Sequence, residues 1–233
     1  MTPAYARVLE NRRALVVGDD ELGAGIALRL ERAGALVQLV AAGDAAAALA
    51  EQPLDVLVLN ALPAAAPAPL DAMSTQTLEA ALGAVRHTAQ LMQAFFPQLR
   101  QRGGRILLIG HRYGESVSEG LAAYNAAAWS LVGLTRSAAV DWGQYQITTN
   151  LILPLAATRE LHSAREQRPR VIELLIAQLP LGRLGDPADD VGAAAVFLAS
   201  EDAGFINGEV VHADGGQHVA GAVLSPARFR TPA

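Results

Sequence analysis

Two side chains of this 233-residue chain stand out for proton chemistry. His111, in the run Ile109-Gly-His-Arg-Tyr113, carries an imidazole whose ordinary pKa of about 6.5 lets it exchange protons near pH 7. Tyr124, in the run Tyr-Asn-Ala-Ala-Ala-Trp, carries a phenol of ordinary pKa about 10, which works poorly at neutral pH without a neighbouring cation. All 18 basic residues are arginine, so no lysine can be that cation. The chain has no cysteine, which removes disulfides, thiolate nucleophiles and cysteine metal ligands, and no metal site is expected.

A second chemical segment is Val16-Val-Gly-Asp-Asp-Glu-Leu-Gly-Ala-Gly25, with glycine at Gly18, Gly23 and Gly25. Glycines after a strand let the backbone approach a phosphate at the N-terminus of the following helix. Asp19, Asp20 and Glu21 crowd that same place. Two like charges 4 Å apart repel by about 1 kcal/mol in water. A carboxylate at a helix N-terminus stabilises it by about 0.3–1 kcal/mol. The three acids are therefore expected to cap the helix in place of a phosphate. Further on, Arg159, Arg165, Arg168 and Arg170 alternate with Glu160, Glu166 and Glu173, a pattern that fits a solvated helix face better than an anion site.

The elements that must position these groups read as alternating strands and helices. Strands are expected at 14–18, 36–41, 55–60, 105–110, 147–153 and 209–212. Helical stretches fall at 22–33, 44–52, 71–102, 120–142, 158–179 and 186–200, the first closed by Gly34 and the third containing Pro97. Such alternation implies a parallel sheet covered on both faces, one α/β domain over 1–233. No apolar stretch approaches the roughly 20 residues of a membrane span, and Met1–Glu10 has no apolar signal-peptide core. Net charge is −5, which argues against nucleic acid as a partner, and a cytoplasmic location is expected.

The second half of the chain resembles the short-chain dehydrogenase/reductase family. Ser130–Trp142 is similar to its long central helix, and Asn150 and Pro154 to a conserved strand end. Pro180–Pro187, Val196–Ser200, Asn207-Gly208 and Asp214-Gly-Gly216 are similar to its C-terminal signature. The resemblance implies a Rossmann-like, doubly wound parallel sheet flanked by helices. Room for only one short helix between the second and third strands implies the loss of one edge strand and one helix.

The family's site residues map unevenly onto the sequence. Tyr124 matches the tyrosine acid, the lysine four residues later is Ala128, the serine position is His111 and the asparagine position is Ala84. Counting back from Gly34 puts the three motif glycines at Val17, Glu21 and Gly23; a two-residue shift recovers Gly23 and Gly25. The residues after the second strand, Ala41-Ala-Gly43, offer neither the acid nor the arginine expected for an adenosine ribose. The third strand ends in Leu59-Asn60-Ala61-Leu62, placing Leu62 where a glycine would open space beside Asn60.

These departures lead to the expectation of a non-catalytic subunit that binds no NAD(P). It would form a homo-oligomer, a dimer or tetramer, or a hetero-oligomer with an active relative. A cofactor-independent enzyme using His111 and Tyr124 on a small-molecule ligand is the alternative. An atypical NAD(P)-dependent oxidoreductase is the third reading.

Overall fold

The computed structural model describes residues 7–48, 53–60, 68–111 and 119–220. Through them run β1 (Arg13–Val17), α1 (Glu21–Arg32), β2 (Leu36–Val40), β3 (Val56–Leu59), α2 (Thr75–Leu99), β4 (Arg105–Ile109) and α3 (Ala122–Trp142). Then follow β5 (Thr148–Pro154), α4 (Arg159–Gln167), α5 (Pro169–Gln178), α6 (Gly192–Ala199), β6 (Val210–Ala213) and α7 (Gln217–Ala220). The six strands are parallel and lie in the order β2-β1-β3-β4-β5-β6. This is the doubly wound α/β fold expected from the sequence. Its strand order reverses beside β1, where such sheets open a crevice at their carboxyl ends.

Strand residues alternate between two cores, as a two-residue period demands. Val16, Val58, Leu107, Ile109 and Ile152 face Ile26 and Leu30 of α1 and Ala195 and Leu198 of α6. Leu15, Leu57, Leu59, Ile106, Leu108 and Leu151 face Leu91, Met92 and Phe95 of α2 and Leu131 and Val132 of α3. Both faces of the central strands are therefore dry, which explains their continuous apolar sequence. The last strand is tied down by amides. Asn150, fully buried, donates to the Ile206 carbonyl at 2.9 Å and accepts from Glu209 N at 3.0 Å. Asn207 accepts from Thr149 N at 2.9 Å and donates to the Ala139 carbonyl at 2.9 Å.

The expected shortening is present. Between β2 and β3 the described residues hold one 3-10 helix, Ala42–Ala48, and no strand, so β2 is the edge of the sheet. Other bounds differ for local reasons. The single helical stretch expected over 158–179 is two helices, broken at Arg168, whose backbone lies at φ −140° and ψ 63°. The ring of Pro169 keeps the residue before it out of the helical region and then opens α5. Before α6, Pro187–Val191 form one wide π turn, capped by the Asp186 carboxylate, which accepts from Ala188 N and Asp189 N at 2.8 and 2.7 Å. Among the described residues no helix is long and apolar enough to cross a membrane.

Candidate functional site

The crevice begins with the turn from β1 to α1. Gly18 has φ +109°, a conformation only glycine adopts readily, and a Cβ there would lie 2.2 Å from the Asn60 carbonyl oxygen. A Cβ on Gly23 would lie 1.8 Å from the Gly18 carbonyl oxygen. These two glycines therefore make the tight turn and the close helix–strand approach. Gly25 instead faces Pro187, whose Cβ would be 2.5 Å from an added Cβ, so it serves packing of α1 on the π turn. The ungapped count that puts a motif glycine at Val17 is off by one, because the turn is one residue shorter than that count assumes. Glu21 stands between the two glycines.

Of the three acids expected to cap the helix, Asp20 does so. Asp20 is the N-cap of α1, its carboxylate accepting from Gly23 N at 2.8 Å and from the Asn60 side-chain amide at 2.7 Å. That link joins the carboxyl ends of β1 and β3. Glu21 accepts from the backbone N–H of Arg159, and so ties the start of α1 to the start of α4. Nothing in the spacing of residues 21 and 159 announces this tether; only the fold brings them together. With Gly23 N taken by Asp20, and Ala24 N by the Asp20 carbonyl, the amides of Glu21 and Leu22 are those a phosphate would meet.

His111 and Tyr124 do meet. Pairing between β4 and β5 continues past the strand through Gly110 N to the Ile152 carbonyl at 2.9 Å, and His111 is the next residue. Tyr124 lies in the first turn of α3. The two rings pack edge to face, with centroids 5.5 Å apart and planes at 87°. One turn on, Ala128 is buried and brings no charge. Ala84 lies mid-way along α2. Arg159, Arg165, Arg168 and Arg170 are exposed, in keeping with a solvated face. Ala61 and Leu62 lie outside the described residues, as do Arg112 and Tyr113. A cavity of about 410 Å³ lies elsewhere, at the β2 edge among Leu15, Leu36, Gln38, Leu54, Phe95 and Gln98, far from the crevice chemistry. No cluster of three or more potential metal ligands occurs among the described residues.

Residues 50–218 match the family model described as enoyl-(acyl carrier protein) reductase. A 12α-hydroxysteroid dehydrogenase from a Clostridium species is 30% identical over 164 residues, 70% of this chain and 63% of that protein. An acetoacetyl-CoA reductase from Rhizobium meliloti is 40% identical over 123 residues, 52% of this chain and 50% of that protein. The chain thus spans about half to under two thirds of the length of these curated relatives. A crystal structure of a protein assigned as a 2-deoxy-D-gluconate 3-dehydrogenase from Agrobacterium tumefaciens, with bound NADP, superposes with TM-score 0.81 at 26% identity, covering 93% of this chain and 99% of that one. One assigned as a gluconate 5-dehydrogenase from Beutenbergia cavernae, also with NADP, gives 0.79 at 28% identity over 91% and 98%.

These relatives overturn two expectations. A non-catalytic subunit does not agree with a family of dehydrogenases and reductases, and the alternative of a cofactor-independent enzyme falls with it. The expectation of no cofactor does not agree with structural neighbours that hold NADP. The physical reason lies in the turn. An ungapped count puts the first motif glycine on Val17, whereas the folded backbone makes that turn at Gly18 and keeps the close approach at Gly23, which the count already retains. The residues fit a dinucleotide in one respect: the turn held close by Gly18 and Gly23 leaves the backbone amides of Glu21 and Leu22 for a phosphate at the start of α1. The carboxylates of Asp19, Asp20 and Glu21 remain an adverse charge beside it.

Proposed function

Because the chain belongs to the short-chain dehydrogenase/reductase family, we propose that it is an NAD(P)-dependent oxidoreductase interconverting a carbonyl and an alcohol on a small substrate. The observation that carries the reading is Tyr124, presented by the first turn of α3 at the sheet end that also holds the Gly18–Gly23 turn. The backbone amides of Glu21 and Leu22 and the turn at Gly18 would hold the dinucleotide. That cofactor, when bound, supplies or accepts the hydride. Tyr124 does the complementary proton work: its hydroxyl proton passes to the carbonyl oxygen in reduction, and its oxygen takes the alcohol proton in oxidation. Ala41 and Gly43 offer no charged grip on an adenosine ribose, so backbone contacts set cofactor affinity.

The same reading treats residues 1–233 as one domain in the cytoplasm, associating with copies of itself. Exposed Phe205 and Val219, on either side of β6, support self-association. Light scattering of the purified chain reads the oligomer directly.

The test of function is turnover. The chain is mixed with NADPH or NADH and a panel of oxo compounds: an acetoacetyl thioester, a 3-oxoacyl thioester, an oxo-gluconate and a 12-oxo steroid. The nicotinamide absorbance is followed. Consumption of cofactor with at least one of them is expected, and Tyr124→Phe should slow it by about a hundredfold or more. Absence of both turnover and binding at millimolar cofactor would sink the reading.

A further inference from the structure

We infer that His111 is the proton-supplying partner of Tyr124, a positioning residue that does for this tyrosine what no cation at residue 128 can do. The inference rests on the oxidoreductase reading above. Three observations carry it. The imidazole and phenol rings are in direct edge-to-face contact, with centroids 5.5 Å apart. Position 128, on the same helix face as Tyr124 one turn later, is a buried alanine, and the whole chain lacks lysine. His111 is placed by the sheet itself, directly after the last hydrogen bond that joins the β4 end to β5.

The chemistry balances within this pair. In reduction, hydride with its electron pair forms the new C–H bond while the carbonyl π pair moves onto oxygen. The Tyr124 hydroxyl proton completes the new O–H bond and leaves a phenolate. That phenolate takes a proton from the protonated His111 ring, directly or through one water, and solvent reprotonates the ring. Charged groups at the same sheet end, among the described residues, include Asp19, Asp20 and Glu21 after β1, Glu119 before α3, Arg159 opening α4 after β5, and Asp214 after β6; β3 is followed by the uncharged Asn60. An imidazole is the group there that both donates and accepts near pH 7.

The experiment compares His111→Asn, Tyr124→Phe and the unaltered chain, each first shown by its thermal transition to be folded. The unaltered enzyme should lose reductive kcat as pH rises through the imidazole range. His111→Asn should lower kcat by about a hundredfold at neutral pH with little change in KM for the cofactor, and should flatten that pH dependence. A loss equal at every pH, or no loss, overturns the inference. A second readout needs no turnover: the His111 ring proton is titrated by NMR in labelled protein, with and without Tyr124→Phe. A midpoint that moves is expected. One that does not move overturns the pairing even if the enzyme is active. A moved midpoint in a chain that turns over no substrate retains the pairing and sinks the oxidoreductase reading alone.

Discussion

A Cβ added to Gly23 would stand 1.8 Å from the carbonyl oxygen of Gly18, so α1 and the end of β1 meet closer than any other residue pair would allow. The contact is backbone to side chain, with no flexible group to give way. Gly23→Ala should destabilise the fold by about 1–3 kcal/mol and weaken dinucleotide binding further, because the turn itself must shift. Gly25→Ala also strains the fold, against Pro187, but should spare binding. Urea midpoints and cofactor titrations of the two variants separate these effects; equal losses of binding would refute the distinction.

Glu21, which lies between the two turn glycines in sequence, places its carboxylate on the Arg159 amide. Removing it with Glu21→Gln, which keeps a hydrogen-bond acceptor for Arg159 N, should tighten NADPH binding. A like-charge repulsion of about 1 kcal/mol corresponds to roughly fivefold in Kd at low salt. Fluorescence titration at two ionic strengths checks it, the gain shrinking as salt rises. An unchanged Kd would mean that the carboxylate does not face the phosphates.

Asn150 satisfies one backbone acceptor and one backbone donor of the segment entering β6. Asn150→Leu leaves both buried without partners and should cost about 2–4 kcal/mol. Hydrogen exchange should quicken first at Glu209 and Val210. Uniform quickening across the sheet would show instead that β6 does not open independently.

The Arg183 guanidinium, bonded to both carboxylate oxygens at 2.6 and 2.8 Å, and then the Asp186 amide hold the Asp190 carboxyl below its ordinary 3.8, at about 2. A depressed acid stabilises the folded state above its unfolded pKa, and that stability is lost as pH falls from about 4 to about 2. The pair is mostly exposed, so solvent screening keeps its contribution small. Asp190→Asn should flatten the urea midpoint across that acid window and leave the site untouched.

The strands were legible because they are dry on both faces: Leu57 and Val58 look to opposite cores yet read as one apolar run. The helix that becomes α3 was legible from its motif. What stayed hidden depends on backbone geometry. Whether Gly18 or Val17 makes the turn turns on a φ of +109°, which no count of spacing contains. The Glu21–Arg159 tether joins residues far apart in sequence, and the break at Arg168 lies in a single backbone conformation ahead of Pro169. Residue type and motif position single out His111 and Tyr124, and the fold brings them into ring contact. Missing motif side chains do not amount to a missing turn, because the turn is made by backbone at Gly18 and Gly23.

Ending the sheet at β2 also affects how the protein fails under stress. Leu36-Val-Gln-Leu-Val40 carries no charge and no proline, and Leu36, Gln38 and Leu39 are exposed, while no strand among the described residues pairs with its outer edge. An apolar, uncharged edge strand is a template on which partly unfolded chains stack into cross-β aggregates. Heating should therefore end in precipitation and not in reversible melting, and a single gatekeeper charge, Gln38→Lys, should raise the temperature at which turbidity appears while the folding midpoint stays nearly unchanged.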